Sequence, residues 1–397
     1  MGPLTPEAGE RRLRLKARAV GRERVPLEEA SGRVSGATVR SPIALPAFDN
    51  SAVDGYAVAG GRAARRQLVG QVYAGDPAWG ALGPDQAVFV ATGATVPPDA
   101  GVARQEDVTV EGQAVVFRRL PAPGDNVRRA GRELRVGATV LQGGERLGPG
   151  QMALLRSLGV ASLSVRRRVT VTVLSVGSEL RESGRSSRGL VRNTNGPWLA
   201  QQLSALGCLV AQRTLGDDEA QFLSELSRSL ATSDLVLSTG GASRGPRDFV
   251  RRSGEALGLM PLIDGVGMRP GQPLQAFLAE RALWIALPGN PLATAIGFDR
   301  LVRPTLATME RRASEARAER ARLAASLGQN RAPVVRYLPA SAAIREGRLE
   351  VTPAASVDSG AVSALRALGA WIRLEPGQAA LAEGSEVAVW LRGAIGP

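Results

Sequence analysis

VTVTVLSVG, residues 169–177, is a near-continuous β-branched run that stops at a glycine. Val and Thr pack well on a pleated surface, and such a run is expected of a strand covered on both faces, as in a parallel sheet. NTNGPWLAQQLSALG (193–207) follows with helical period, and Asn193 or Thr194 is its candidate N-cap. Next come CLVAQRTL (208–215) as a strand, DDEAQFLSELSRSLA (217–231) as a helix and DLVLSTGG (234–241) as a strand ending in glycines. Further on, ALWIALPGN (282–290) is a strand running into a turn, and PLATAIGFDRLVRPTLATM (291–309) is a helix. This alternation predicts βαβ units with right-handed crossovers around a parallel sheet.

Outward from that centre the texture changes. The first 40 residues carry a mixed helical pattern broken by Pro26 and Gly32. From 41 to 140, short β-rich runs (QAVFVAT, GVARQEDVTV, QAVVFRRL) alternate with Gly, Pro and Asp turns and predict a compact all-β module. Residues 141–165 read as turn, helix and short strand. Residues 311–327 (RRASEARAERARLAASL) read as a charged helix or linker, and 330–397 as short strands again. No internal repeat is evident.

Composition narrows the chemistry. Apolar content of 44% and charged content of 22% fit a soluble globular chain, and 397 residues exceed one ordinary core. No apolar run is long enough for a membrane helix, and the charged N-terminus lacks a signal-type stretch, so the cytoplasm is the expected compartment. The single cysteine, Cys208, reads as a packing residue. The chain has no histidine, which excludes His-based triads and His metal sites. A site must run on carboxylates, backbone amides, hydroxyls, arginine or a hard cation such as Mg²⁺. The net charge of +13 fits an anionic small substrate, nucleic acid, or merely solvated arginine faces. Arg166-Arg167-Arg168 is the nearest thing to a nucleic-acid patch, but no aromatics are interleaved for base stacking.

In an open α/β sheet, ligands bind beyond the carboxyl ends of the strands. Three features fall there: Val176-Gly177-Ser178-Glu179, Ser238-Thr239-Gly240-Gly241-Ala242-Ser243, and Leu287-Pro288-Gly289-Asn290-Pro291. Gly and Pro commonly end strands for steric reasons alone. Three such turns on one edge, however, predict an anion-binding crevice. Asp217, Asp218 and Asp248 lie nearby in sequence, either as helix caps or, with Glu179, as carboxylates converging on Mg²⁺. In the β-rich half, Asp49, Asn50, Ser51 and Asp54 crowd one segment, as turn chemistry or as ligand contacts.

LPAFDNSAVDGYAV (45–58), ATGATVPPDAG followed by QED, DLVLSTGGAS, LPGNP and the tail SVDSGAVSALRALGAWIRLEPG, in this order, closely resemble the molybdopterin molybdenumtransferase family. The glycine loop is shared with molybdopterin adenylyltransferases, which have only the α/β domain; the β-rich half favours the molybdenumtransferases. The resemblance implies a central doubly wound, molybdopterin-binding α/β domain (168–325) and a β-rich domain (41–140). It also implies a small linking domain (1–40 with 141–167) and a C-terminal β-barrel-like domain (326–397). It implies a homodimer whose cleft lies between the α/β domain of one subunit and the β-rich domain of the other. The implied reaction takes adenylylated molybdopterin and molybdate, releases AMP with Mg²⁺, and leaves molybdenum on the dithiolene. A molybdopterin adenylyltransferase is a further implied partner. By matching motif, the β-rich domain contributes Asp54 as a catalytic residue and Thr92, Asp49, Asn50 and Ser51 as substrate-binding residues. Glu179, Asp217 and Asp248 are the implied catalytic and metal-binding acids. Gly240, Gly241 and Ser243 cradle the pterin or phosphate, and Arg269, Pro270, Pro273, Pro288 and Asn290 shape the pocket.

The sequence also departs from the family pattern. Ser178 stands where an aspartate is usual, the glycine loop continues Arg244-Gly245-Pro246-Arg247-Asp248, and Gln272 replaces a lysine. The site loses a lysine and at least two acids and gains two arginines, Arg244 and Arg247, suited to an oxyanion or a phosphate. Arg269 covers part of the lysine's charge, though a planar fork is not a point ammonium. A non-catalytic carrier of molybdopterin or molybdenum cofactor is therefore the alternative expectation.

Overall fold

In the computed structural model, which describes residues 3–183, 189–241, 249–313 and 318–392, the β-branched run becomes a central strand of a six-stranded sheet. Its strands are β1 (Thr170–Val176), β2 (Leu209–Leu215), β3 (Leu235–Thr239), β4 (Met260–Asp264), β5 (Gln275–Leu278) and β6 (Leu283–Leu287). The spatial order is β2-β1-β3-β6-β5-β4. β2, β1, β3 and β6 are parallel, as the alternation predicts. β5 and β4 add an antiparallel edge that the sequence reading missed, because these strands are short and set among glycines and prolines. Burial follows the period of two on both faces. Val171, Val173, Leu235, Leu237, Leu283 and Ile285 enter one core, while Leu174, Val176, Val236 and Trp284 enter the other.

Helices α1 (Asn195–Ala205), α2 (Glu219–Thr232), α3 (Val250–Ala256) and α4 (Pro291–Gly297) cover the sheet. α4 runs through a π turn (Phe298–Val302) into a last helical segment, Arg303–Met309. From β1 the chain crosses to β2 on one side, then returns past β1 to β3. The strand order therefore reverses between β1 and β3, and their carboxyl ends open a crevice. Cys208 is buried in this domain, and burial pushes its thiol up to about 12, in keeping with a packing role.

The N-terminal helix Pro6–Lys16 places Leu13 in the α/β core. The helical reading of the first 40 residues is then corrected, since Arg22–Pro26 is a strand paired antiparallel with Ser162–Arg166. The β-rich region forms the expected all-β module around a second six-stranded sheet spanning Gly55–Phe117. In the C-terminal region Val335–Arg345, Arg348–Pro353, Ala318–Leu323, Glu386–Leu391 and Ala370–Leu374 close into a five-stranded barrel. Residues 318–323 are thus a barrel strand rather than part of a charged helix. Ala321 and Leu323 point into the barrel core while Arg320 and Arg322 alternate outward.

The arginine triplet is absorbed by the fold. Arg167 grips Asp234 through two 2.8 Å hydrogen bonds, Arg166 is 9% exposed, and of the three only Arg168 is an exposed residue. The triplet offers no continuous surface for a phosphate backbone.

Candidate active site

The crevice is built by side chains that tie strand ends together. Gly240 has φ +91°, and a Cβ there would stand 2.1 Å from the carbonyl oxygen of Val176 at the end of β1. Only glycine fits. Gly241 follows at φ +68°, so two successive residues turn the backbone back over the sheet edge. From the start of α1, Asn195 Nδ2 donates to Thr239 Oγ1 at 3.0 Å and to the Gly289 carbonyl at 2.6 Å. The carbonyl of Pro288 accepts from the Thr294 hydroxyl at 2.6 Å and from the Thr239 hydroxyl at 3.2 Å. The β3 and β6 turns are therefore held as one rigid rim.

Against this rim lies a cleft of about 370 Å³ lined by Val176, Glu179, Arg192, Asn193, Asn195, Thr239, Gly240, Gly289 and Pro291, closed at one side by Gly360 and Val362. Asn193 Oδ1 accepts from Gly196 N–H at 3.1 Å and so caps α1, one of the two residues the sequence offered for that task. Its Nδ2 donates at 2.8 Å to Glu182, which also accepts the Thr214 hydroxyl. Those two bonds, Thr214 first, hold the Glu182 carboxyl below the usual range. A second cleft of about 330 Å³ lies across the Pro288–Asn290 turn, lined by Arg269, Pro270, Gln272, Pro273, Pro288, Asn290, Arg336 and Ser359. Asn290 Nδ2 donates to Ser359 Oγ at 3.1 Å, and Leu292 N–H to the Ser359 carbonyl at 3.0 Å. The segment 357–362, from the C-terminal region, walls both clefts.

The expected residues distribute unevenly. Glu179, Gly240, Arg269, Pro270, Pro273, Pro288 and Asn290 line one cleft or the other. Ser178 Oγ accepts from Asp217 N–H at 2.9 Å, which fastens the Asp217 backbone to the loop carrying Glu179. Asp218 is a helix cap, its Oδ1 accepting from Gln221 N–H at 2.9 Å. Ser243 and Asp248, with Arg244, Pro246 and Arg247, lie outside the described residues. Among the described residues no group of three or more acidic or cysteine side chains is placed to hold a metal ion.

In the β-rich module, Asp54 Oδ1 accepts from Thr92 N–H at 2.6 Å, and that bond holds the exposed carboxyl below its ordinary value. Asp49 binds Ala130 N–H at 2.7 Å and pairs with Arg129 at 2.6 Å. Asn50 donates to its neighbour Phe48, and buried Ser51 donates to Val53, so these three side chains brace the turn. Neither cleft takes a lining residue from 41–140. Asn195, Glu182, Arg336 and Ser359 were not singled out in sequence. A polar residue beside a helix start or strand end was the sole signal available for them.

Sheet, switch-point crevice and paired glycine turns make up a doubly wound α/β domain, joined to a β-rich module and a barrel. Residues 6–159 match the MoeA N-terminal region (domain I and II), 172–308 the probable molybdopterin binding domain, and 320–391 the MoeA C-terminal region (domain IV). The molybdopterin molybdenumtransferase of Haemophilus influenzae is 35% identical over 291 residues, 72% of each chain. That of Bacillus subtilis is 29% identical over 385 residues, 93% of this chain and 89% of its own. The crystal structure of the molybdopterin biosynthesis MoeA protein of Pyrococcus horikosii aligns with TM-score 0.84 at 27% identity, covering 99% of this chain and 100% of that one. The chain belongs to the molybdopterin molybdenumtransferase (MoeA) family and so has a role in molybdenum-cofactor biosynthesis.

Proposed function

We propose that the chain transfers molybdenum from molybdate to adenylylated molybdopterin, with Mg²⁺-dependent release of AMP. The observation that carries this reading is the rigid cleft between the ends of β1 and β3, where Glu179 faces the Gly240 turn. The successive turn residues Gly240 and Gly241 offer backbone N–H groups to a nucleotide phosphate. Glu179, Asp217 and Asp248 are the carboxylates that would hold Mg²⁺. One or two carboxylates together with substrate phosphates meet the usual needs of that ion, so it does not require a three-acid cluster among the described residues. When bound, the cation neutralises charge on the phosphates. Ser178 does not replace the missing aspartate as an acid. Instead its hydroxyl holds the Asp217 backbone, so the departure leaves Asp217 and Glu179 on joined loops. In the second cleft Arg269 and Arg336 supply the positive charge expected around a molybdate ion, covering for Gln272. The relatives carry the transferase name, so the carrier alternative is not favoured.

The same reading makes the protein a homodimer. On this reading Asp54 and Thr92, which line neither cleft of their own chain, reach the site from a second copy. It also places the reaction in the cytoplasm, supplied by a molybdopterin adenylyltransferase. Among the described residues no helix is long and apolar enough to cross a membrane.

The test is AMP release measured with adenylylated molybdopterin, with molybdate and Mg²⁺ each supplied or withheld. Release should require both. Glu179→Gln should lower the rate about a hundredfold, the scale of losing one preorganised electrostatic group. Pterin binding without AMP release at any Mg²⁺ concentration would leave only a carrier.

A further inference from the structure

We propose that Arg22, Arg166 and Arg311 form a binding site for a small tetrahedral oxyanion, away from both clefts, where the linking segments meet the α/β domain. Three stitches bring these residues together. Arg22 lies opposite Arg166 in the antiparallel pair of Arg22–Pro26 with Ser162–Arg166. Arg167 N–H donates to the Gly21 carbonyl at 2.9 Å, and Val20 N–H to the Met309 carbonyl at 2.9 Å, fixing this pair beside the helix end that carries Arg311.

Arg166 is the anomaly. It is 9% exposed, and of its five N–H donors only Nη1 finds a partner among the described residues, the Val20 carbonyl at 3.2 Å. Its Nε is buried without one. Burial, then the charges of Arg22 and Arg311, push its pKa below the ordinary arginine value. The nearby carboxylates among the described residues are engaged elsewhere: Glu23 pairs with Arg33, and Glu310 with Arg312 at 2.5 Å and Arg146 at 3.9 Å. Among the described residues this buried cation is flanked by like charges and has no acid of its own, which is costly unless an anion joins it.

Arg311 supplies an independent indication. The helical segment Arg303–Met309 ends in a Schellman motif, with Arg312 N–H on the Ala307 carbonyl at 2.9 Å and Arg311 N–H on the Thr308 carbonyl at 3.1 Å. Arg311 holds the position where glycine is usual, at φ +54°. Two exposed guanidinia over a buried third suit an oxyanion, since each fork presents paired donors. Beside them Gly21 leaves open space, with nothing within 4 Å of where a Cβ would stand.

The test titrates the full-length protein with phosphate, sulfate and molybdate separately, by calorimetry and thermal shift, against sodium chloride at equal ionic strength. Arg311→Gly restores an unstrained helix end while removing one guanidinium, and Arg22→Gln removes another from the surface. Saturable binding of any of the three anions, weakened about tenfold or more in both variants with AMP release unchanged, supports the site. The tightest binder identifies its source. Anomalous density for selenate beside Arg166 in soaked crystals would locate it. Undiminished binding in both variants, or stabilisation that chloride reproduces, overturns the proposal.

Discussion

Asn195 stands 94 residues from Gly289 in sequence, yet its side-chain amide donates to that carbonyl at 2.6 Å. The same amide holds Thr239, the last residue before the Gly240 turn, so one side chain sets the spacing of two cleft walls. Asn195→Asp keeps the volume and removes both donors, leaving a carboxylate against a carbonyl oxygen. Leaving a part-buried acceptor unpaired costs about 1–3 kcal/mol. Because the rim must be set before the substrate phosphate arrives, kcat/KM for AMP release should fall roughly ten- to hundredfold, with only a modest drop in melting temperature. An unchanged kcat/KM would make Asn195 a passive wall. The glycine turns it braces were legible in sequence, because three Gly- or Pro-containing turns fell at strand ends on one predicted sheet edge. The brace itself was not. An asparagine near a helix start reads as a cap until the strand ends are known to meet.

At the level of elements, Asp234 shows how the sheet is registered. Preceding β3, it accepts Thr170 N–H and the Thr170 hydroxyl at 2.8 Å each and two bonds from Arg167, locking the start of β3 to the start of β1. Burial opposes the charge, but Arg167 and Thr170 outweigh it and hold the carboxyl below its ordinary value. A group whose folded pKa is depressed stabilises above its unfolded pKa, and that contribution disappears as pH falls through the folded value. Asp234→Asn should therefore destabilise by about 1–3 kcal/mol at pH 7, and the gap from wild type should close below the ordinary aspartate range. Urea unfolding of both proteins at neutral and acid pH measures it; a gap independent of pH would mean that geometry rather than charge matters. The strands that Asp234 aligns were readable because β-branched runs covered on both faces have no competing reading. Ala318–Leu323 was not, since Ala, Glu, Arg and Leu are all good helix formers. Pairing with Glu386–Leu391 overrides that local preference.

At the scale of the whole molecule, the barrel and the α/β domain are fastened together while the β-rich module's acidic turn is left apart from the clefts. Asp299, 6% exposed in the π turn, accepts from Trp371 Nε1 at 2.8 Å and Arg392 Nε at 2.6 Å, both from the barrel side. Asn290 and Leu292 in turn donate to Ser359, so the segment 357–362 lies against both clefts of its own chain. Asp54, whose carboxyl the Thr92 N–H holds below its ordinary value, lines neither cleft of its own chain. If the working site is shared between copies, two dead subunits can make one live site. An Asp54→Asn subunit keeps Glu179, and a Glu179→Gln subunit keeps Asp54. In a mixed dimer of the two, one site holds both native carboxylates and the other neither. Each variant alone should release little AMP, whereas purified heterodimers, isolated by differential tags, should recover about half the wild-type turnover per dimer. A site built within one chain predicts no recovery, because every subunit then lacks one of the two carboxylates. Light scattering on the same samples separates that outcome from a failure to dimerise: heterodimers of the right mass without activity would confine the chemistry to a single chain.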